Sequence, residues 1–174
     1  MKKILFTIVS VLIAFNAYAA DLKIGYVDLN KALNTSETGK KAVKVLEDMV
    51  KAKQKFIDQK GDDIKKLDEE LSKQSSVLNP ETLKEKQEER DRLMRDYQRM
   101  VKDSQDEIQK KQTGLMQDII KEMRQVVHEL GKKEGYSVIF ERSESGILYI
   151  PDNFDLTEKL IQKFNEVSKN TGGK

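Results

Sequence analysis

Two adjacent acidic pairs, Glu69-Glu70 and Glu88-Glu89, and the single histidine, His128, are the side chains of this chain best suited to moving protons. General acid–base work needs two groups aimed at one substrate atom, at least one of them with its proton affinity tuned to the working pH. Both pairs fall in charge-dense helical stretches, where consecutive residues point in different directions and hydration leaves nothing to tune them. His128 stands among Met123, Val127 and Leu130, a neighbourhood that predicts packing at the base of a helix. There is no cysteine for it to act with, and one imidazole does not make a metal site. No glycine-rich phosphate loop and no nucleophile motif occurs. The expectation is a chain that is not an enzyme, with no catalytic residue, no metal and no cofactor.

The elements carrying these residues are long helices. Val50, Ile57, Ile64, Leu71 and Leu78 recur every seven residues, with Leu46 and Leu67 in the second seam position, where Lys53, Lys60 and Gln74 interrupt it. Such a helix packs along one narrow stripe, but a tightly closed coiled coil over its whole length is not the expected solution. The interrupting lysines either leave a wet, incomplete seam or snorkel at the edge of an ordinary antiparallel pair. A sharp break follows. Asn79 can cap, Pro80 suits the first helical position and Glu81 complements the positive helix end, so the chain reverses near residues 75 to 80.

The returning helix has a thin seam of Leu83, Met94, Tyr97, Val101, Ile108 and Leu115, interrupted by Gln87, Arg90, Ser104 and Lys111. Its far end broadens into Leu115, Met116, Ile119, Ile120, Met123, Val126, Val127 and Leu130, a stripe wide enough for more than one neighbour. At ~1.5 Å of rise per residue such an arm reaches roughly 70 Å. Gly61 and Gly114 lie inside these helices, each costing ~1 kcal/mol relative to alanine; they are candidate hinges, or glycines tolerated on a solvated face.

The outer ends of the chain read differently. Lys2 and Lys3 precede an apolar run over residues 4–15, and Ala17-Tyr18-Ala19 places small residues where a signal peptidase reads. The run is well short of the ~20 residues a spanning helix needs, so export with cleavage after Ala19 is expected, and residues 1–19 are set aside as a signal peptide. The chain has 32 Lys+Arg against 30 Asp+Glu, and loss of Lys2 and Lys3 leaves 30 against 30. A neutral mature chain argues against nucleic acid as a partner, because phosphate binding draws on a basic surface.

Residues 20–35 and 135–168 remain for a body. Leu22-Lys23-Ile24-Gly25-Tyr26-Val27 reads as a strand, and so does Tyr136-Ser137-Val138-Ile139-Phe140-Glu141 after a helix stop between Gly131 and Gly135. Ser143 to Gly146 reads as a turn, and Ile147-Leu148-Tyr149-Ile150 as a third strand ended by Pro151. Asp155 then opens a last helix whose Leu156, Leu160, Ile161 and Phe164 share a face, and residues 169–174 read as a flexible tail. Three short strands and one helix are too small a core to hold up two long helices without disulfides, metal or oligomerisation. Oligomerisation through the sheet also hides strand edges, and Ile24, Tyr26, Val27, Val138, Ile139, Phe140, Leu148 and Ile150 are the candidate residues of that shared body.

The fold class read from these elements is α+β, a small β-body assembled between subunits with a long antiparallel helical hairpin, residues 36–134, as an arm on each. At this point Lys23-Ile24-Gly25-Tyr26-Val27-Asp28, the helix entered near Ser36-Glu37-Thr38-Gly39-Lys40, Gly135-Tyr136-Ser137-Val138-Ile139-Phe140, Leu148-Tyr149 and Asp155-Leu156-Thr157 together resemble the Skp (OmpH) family of periplasmic chaperones. The resemblance spans nearly the whole chain beyond the signal. It implies a homotrimer whose strands form a shared β-body, with arms enclosing a cavity for unfolded outer-membrane proteins, and an ATP-independent holdase of the periplasm. Family members are often strongly basic, whereas this mature chain balances, which weighs against a mainly electrostatic capture of client; transient contact with a membrane surface is kept as a further candidate interaction. Interrupted seams would leave scattered apolar side chains and lysine stems to hold a client by many weak contacts. Val77, Leu78 and Leu83 near the tip, with Met94, Tyr97 and Met100 along the arm, are the candidate client contacts, although Leu78 and Leu83 also suit closing the hairpin. The competing expectation is a coiled-coil spacer of the envelope with no client-holding activity.

Overall fold

The computed structural model describes residues 22–74 and 77–171. The expected signal peptide with its cleavage site after Ala19, residues 75 and 76 of the reversal, and residues 172–174 of the tail lie outside the described residues. Strand β1 (Ile24–Val27) is followed by a short helix α1 (Leu29–Thr35), a long helix α2 (Glu37–Gln74), a longer one α3 (Pro80–Glu134), strand β2 (Val138–Glu141), a 3-10 turn (Asp152–Phe154) and helix α4 (Thr157–Thr171).

The arm forms for local reasons. Asn79 accepts from the backbone N–H of Thr82 at 2.8 Å, Pro80 occupies the first turn, and α3 then runs 55 residues, about 80 Å at 1.5 Å per residue. It stops where Gly135 takes up a left-handed conformation, φ 71, and returns its N–H to the Gly131 carbonyl, a turn that costs a residue with a Cβ more than it costs glycine. Helices α2 and α3 lie against one another as an antiparallel hairpin.

The arm is set into the body by an elbow. Asp28 caps α1 by accepting from the Lys31 N–H at 2.7 Å. Ser36 ends α1 and begins α2: its hydroxyl donates to the Leu33 carbonyl at 3.2 Å and accepts from the Gly39 N–H at 3.1 Å. Ser36 and Gly39 are buried. A methyl on Gly39 would stand 1.7 Å from the Leu33 carbonyl oxygen, so the two helices approach here as only glycine permits.

Strands β1 and β2 pair in parallel, Ile24 with Val138 through Val27 with Glu141, and the whole arm is the crossover between them. The other edge of β1 is closed by the segment entering α4, where the Leu156 N–H donates to the Tyr26 carbonyl at 2.8 Å. Over this sheet and α1 sits a core of eleven buried residues: Val27, Leu29, Ala32 and Leu33, then Ile119, Met123 and Val126 from the base of α3, Leu156 from the segment entering α4, and Leu160, Ile161 and Phe164 from α4 itself. The shared apolar face read for the last helix is the face that α4 buries.

Three readings are corrected. Residues 147–150 are not a strand. After β2 the chain turns at 142–145 and crosses to the far edge of β1, so no strand edge runs beside Leu148 and Ile150 to give them a ladder. Residues 169–171, assigned to the tail, are the last turn of α4. Helix α1, which no periodicity marks in seven residues, stands where only a body segment was expected.

Candidate functional site

The arm is held by polar contacts where its seam lapses. Lys53 reaches Glu107 at 2.5 Å, Lys86 reaches Glu70 at 2.9 Å, and Arg90 approaches Asp68 at 3.7 Å. At the edge of the seam Lys53 thus pairs across the hairpin, and Arg90 lies between Asp68 on the facing helix and Asp91 on its own, 3.3 Å away. Ile64 and Ser104 are buried between the helices, while Leu46, Ile57, Leu67 and Leu71 are half-buried. A pair of helices closed by a narrow stripe and surface ion pairs gains little from each pair, about 0–1 kcal/mol, so the arm leaves much of its apolar surface in water.

The candidate contacts divide accordingly. Val77 at the tip is 82% exposed. Leu78, Leu83, Met94, Tyr97 and Met100 are half-buried, with part of each surface available along the arm. Tyr97 lies beside Gly61, where an added methyl would sit 3.7 Å from the ring, and Gly114 faces open space; both glycines stand inside uninterrupted helix. Sequence reasoning passed over Phe56, 64% exposed on α2, and Val45, exposed three turns before it on the same face. Their signal lay in a second apolar spacing, masked by the stronger seven-residue repeat.

The body residues fall on two sides of one question, which edges are satisfied. Tyr26 and Val27 are buried and Ile24, Ile139 and Phe140 half-buried. Burial, with the Asp155 carboxylate nearby, holds the Tyr26 phenol above its ordinary 10.0. Among the described residues β2 has a strand on one side only, Val138 on it is exposed, and beyond it Leu148 is fully exposed with Tyr149 at 82%; Ile150 is half-buried. This is the open side of the body.

The base of the arm is clamped by Glu134, whose carboxylate accepts from Lys159 at 2.6 Å while its backbone carbonyl accepts from Lys23 at 2.8 Å. The hydrogen bond from Lys159 holds the Glu134 carboxyl below its ordinary 4.5 and the Lys159 ammonium above its ordinary 10.5. An unfolded glutamate takes up its proton at higher pH than this folded one, so stability from the pair is present above the ordinary glutamate value and lost as pH falls through the lowered one. Lys159→Met is expected to lower the thermal midpoint modestly at neutral pH, with the deficit closing in acid; a deficit independent of pH over the acid range would show that the pair is not its source.

Three of the groups first considered for proton transfer are held in ion pairs along the arm. Glu69 pairs with Lys73, Glu70 with Lys86 and Glu88 with Lys84. His128 is exposed rather than packed, because the buried stripe of α3 falls on Met123, Val126 and Leu130. It borders an open depression of about 740 Å³ along α3, with Ile120, Arg124 and Glu129. Among the described residues no cluster of His, Asp and Glu is arranged to hold a metal ion, and no helix is long and apolar enough to cross a membrane.

Comparison with known proteins places this geometry. The family model for outer membrane protein (OmpH-like) matches residues 23–164. A solved structure of a candidate OmpH-like outer membrane chaperone from Caulobacter crescentus shares the fold with a TM-score of 0.77, covering 83% of this chain and 84% of its own at 12% identity. No curated protein sequence matches.

Proposed function

Because the chain belongs to the OmpH family, we propose that it is an ATP-independent holdase of the periplasm, binding unfolded outer-membrane β-barrel proteins between helical arms and keeping them from aggregating. The observation that carries the reading is the arm itself, which presents apolar side chains to solvent from Val77 at the tip to Phe56 and Val45 nearer the base. Large apolar groups left in water on so long a projection cost solubility unless something covers them in use. A client is held by many weak contacts that release one at a time.

The working unit is a homotrimer. In its support, the open edge of β2 offers unpaired backbone groups and residues 147–150 offer an apolar segment without a ladder, and a core of eleven residues is small for a free-standing body. A partner's segment against that edge would satisfy both defects.

The test is the purified mature protein, beginning at Ala20, mixed without nucleotide with a urea-denatured outer-membrane β-barrel. The expected result is suppressed light scattering and a complex of three copies with one client by native mass. Failure to suppress aggregation would favour an envelope spacer. Replacing Met94, Tyr97 and Met100 together by polar residues is expected to raise severalfold the protein needed for half suppression. If the helical signal persists and suppression is unchanged, these three residues do not touch client.

A further inference from the structure

Helix α2 carries a second apolar line distinct from its seam. Val45, Met49, Ala52 and Phe56 are spaced by four, three and four residues, which at about 100° per residue gathers them within roughly 60° of arc. Leu46, Ile57 and Ile64 of the seam lie about 100° to one side. On the other side runs a row of lysines, Lys41, Lys44, Lys51 and Lys55, interrupted by Asp48. All four lysines are exposed, and among the described residues none carries an ion pair. Of the apolar line only Met49 is half-buried; Val45, Ala52 and Phe56 are exposed. The near-tip stretch of the same helix lacks this excess, with Asp62, Asp63, Asp68, Glu69 and Glu70 against Lys60, Lys65, Lys66 and Lys73. The neutral total of the mature chain thus conceals a basic, apolar segment near the arm's base.

A surface of two parallel lanes, one apolar and one cationic, suits a ligand whose side chains alternate between two sides. From Val45 to Phe56 the helix rises about 16 Å, the length of roughly five residues of extended chain. A strand destined for a β-barrel wall alternates apolar and polar residues along such a length. Laid along α2, its apolar side covers Val45, Ala52 and Phe56 while its other side faces the lysines, and acidic residues there meet unpaired ammonium groups. We infer that residues 41–56 of α2 are a docking strip for extended client segments in which apolar residues alternate with acidic ones.

This rests on the holdase reading and assigns it a place and a sequence preference. The test measures affinity of the full mature protein for a urea-denatured, acidic outer-membrane β-barrel by fluorescence anisotropy. Val45→Ser with Phe56→Ser is expected to weaken binding about tenfold. Changing Lys44, Lys51 and Lys55 to glutamine should weaken it to a similar degree and flatten its salt dependence. Val43→Ser, exposed on the opposite flank of the seam, is the control and should bind as wild type. All changed positions are solvent-facing, so circular dichroism and native mass are expected to match the parent, and Phe56→Ser alone is the fallback. Wild type that fails to bind the barrel overturns the holdase reading itself. Wild type that binds, with strip variants binding equally, overturns the strip alone. Variants that hold the barrel normally but lose binding to anionic phospholipid vesicles overturn it in favour of a membrane-facing surface.

Discussion

Phe164→Ala is expected to unfold the body at temperatures where the parent is intact. Phe164 is 1% exposed at the centre of the small core, and truncating a buried phenylalanine costs about 3–5 kcal/mol through lost transfer energy and the cavity left behind. Whole domains are stable by only about 5–15 kcal/mol, and eleven buried residues place this body toward the low end. Refilling is hindered, since Met123 and Leu160 are fully buried in the same core and their helices are fixed, α3 by the arm and α4 by Lys159 to Glu134. Urea unfolding followed by circular dichroism measures the effect. A midpoint within error of the parent's would mean that the body draws its stability from somewhere other than this core.

Gly39→Ala should cost nearly as much for a different reason. The added Cβ would stand 1.7 Å from a backbone oxygen and 2.9 Å from the carbonyl carbon of Leu33, neither of which can rotate away. Relief requires α1 and α2 to part, breaking the Ser36 contacts that join them. Overpacking against side chains costs about 1–3 kcal/mol, and a clash with backbone at a buried elbow belongs at the top of that range or above. The same substitution at Gly114, which faces open space within α3, should instead stabilise the helix by up to about 1 kcal/mol. Opposite signs from one chemical change, read as denaturation midpoints, separate the elbow from helix propensity; a stabilised Gly39→Ala protein would contradict the close approach.

What the sequence made legible was chemistry settled within a few residues. Asn79-Pro80 opens α3 and Gly135 closes it because caps and left-handed turns are decided locally, and Leu160, Ile161 and Phe164 share a face because helical period alone arranges them. The misses depend on distant partners. Helix α1 is seven residues held by Ser36 and by packing on α4, neither visible in its own pattern. Residues 147–150 have the composition of a strand but no edge beside them within the chain. Lys53 and Arg90 looked like defects in a seam until Glu107 and Asp68, on the facing helix, supplied their partners. His128 was read into the core from its neighbours, whereas a shift of one residue around the helix put it in water. For the candidate surface, the seven-residue repeat drew attention to the seam and away from the side of α2 where Phe56 stands.

The parallel sheet, with the arm as its crossover, also dictates how the chain can assemble. Contacts that define the body join residues 111 and 129 positions apart, Lys23 to Glu134 and Asp28 to Thr157. Closing a flexible loop of about a hundred residues costs roughly 5 kcal/mol of chain entropy before any such contact is rewarded. The hairpin changes that sum, because α2 and α3 meet through neighbours in sequence and zip from the reversal toward the base. Once zipped, the arm is a rigid strut that delivers Ser36 and Glu134 to the same place, and the loop left to close is short. The projecting arm is thus also the clasp that lets two remote ends of the polypeptide find each other.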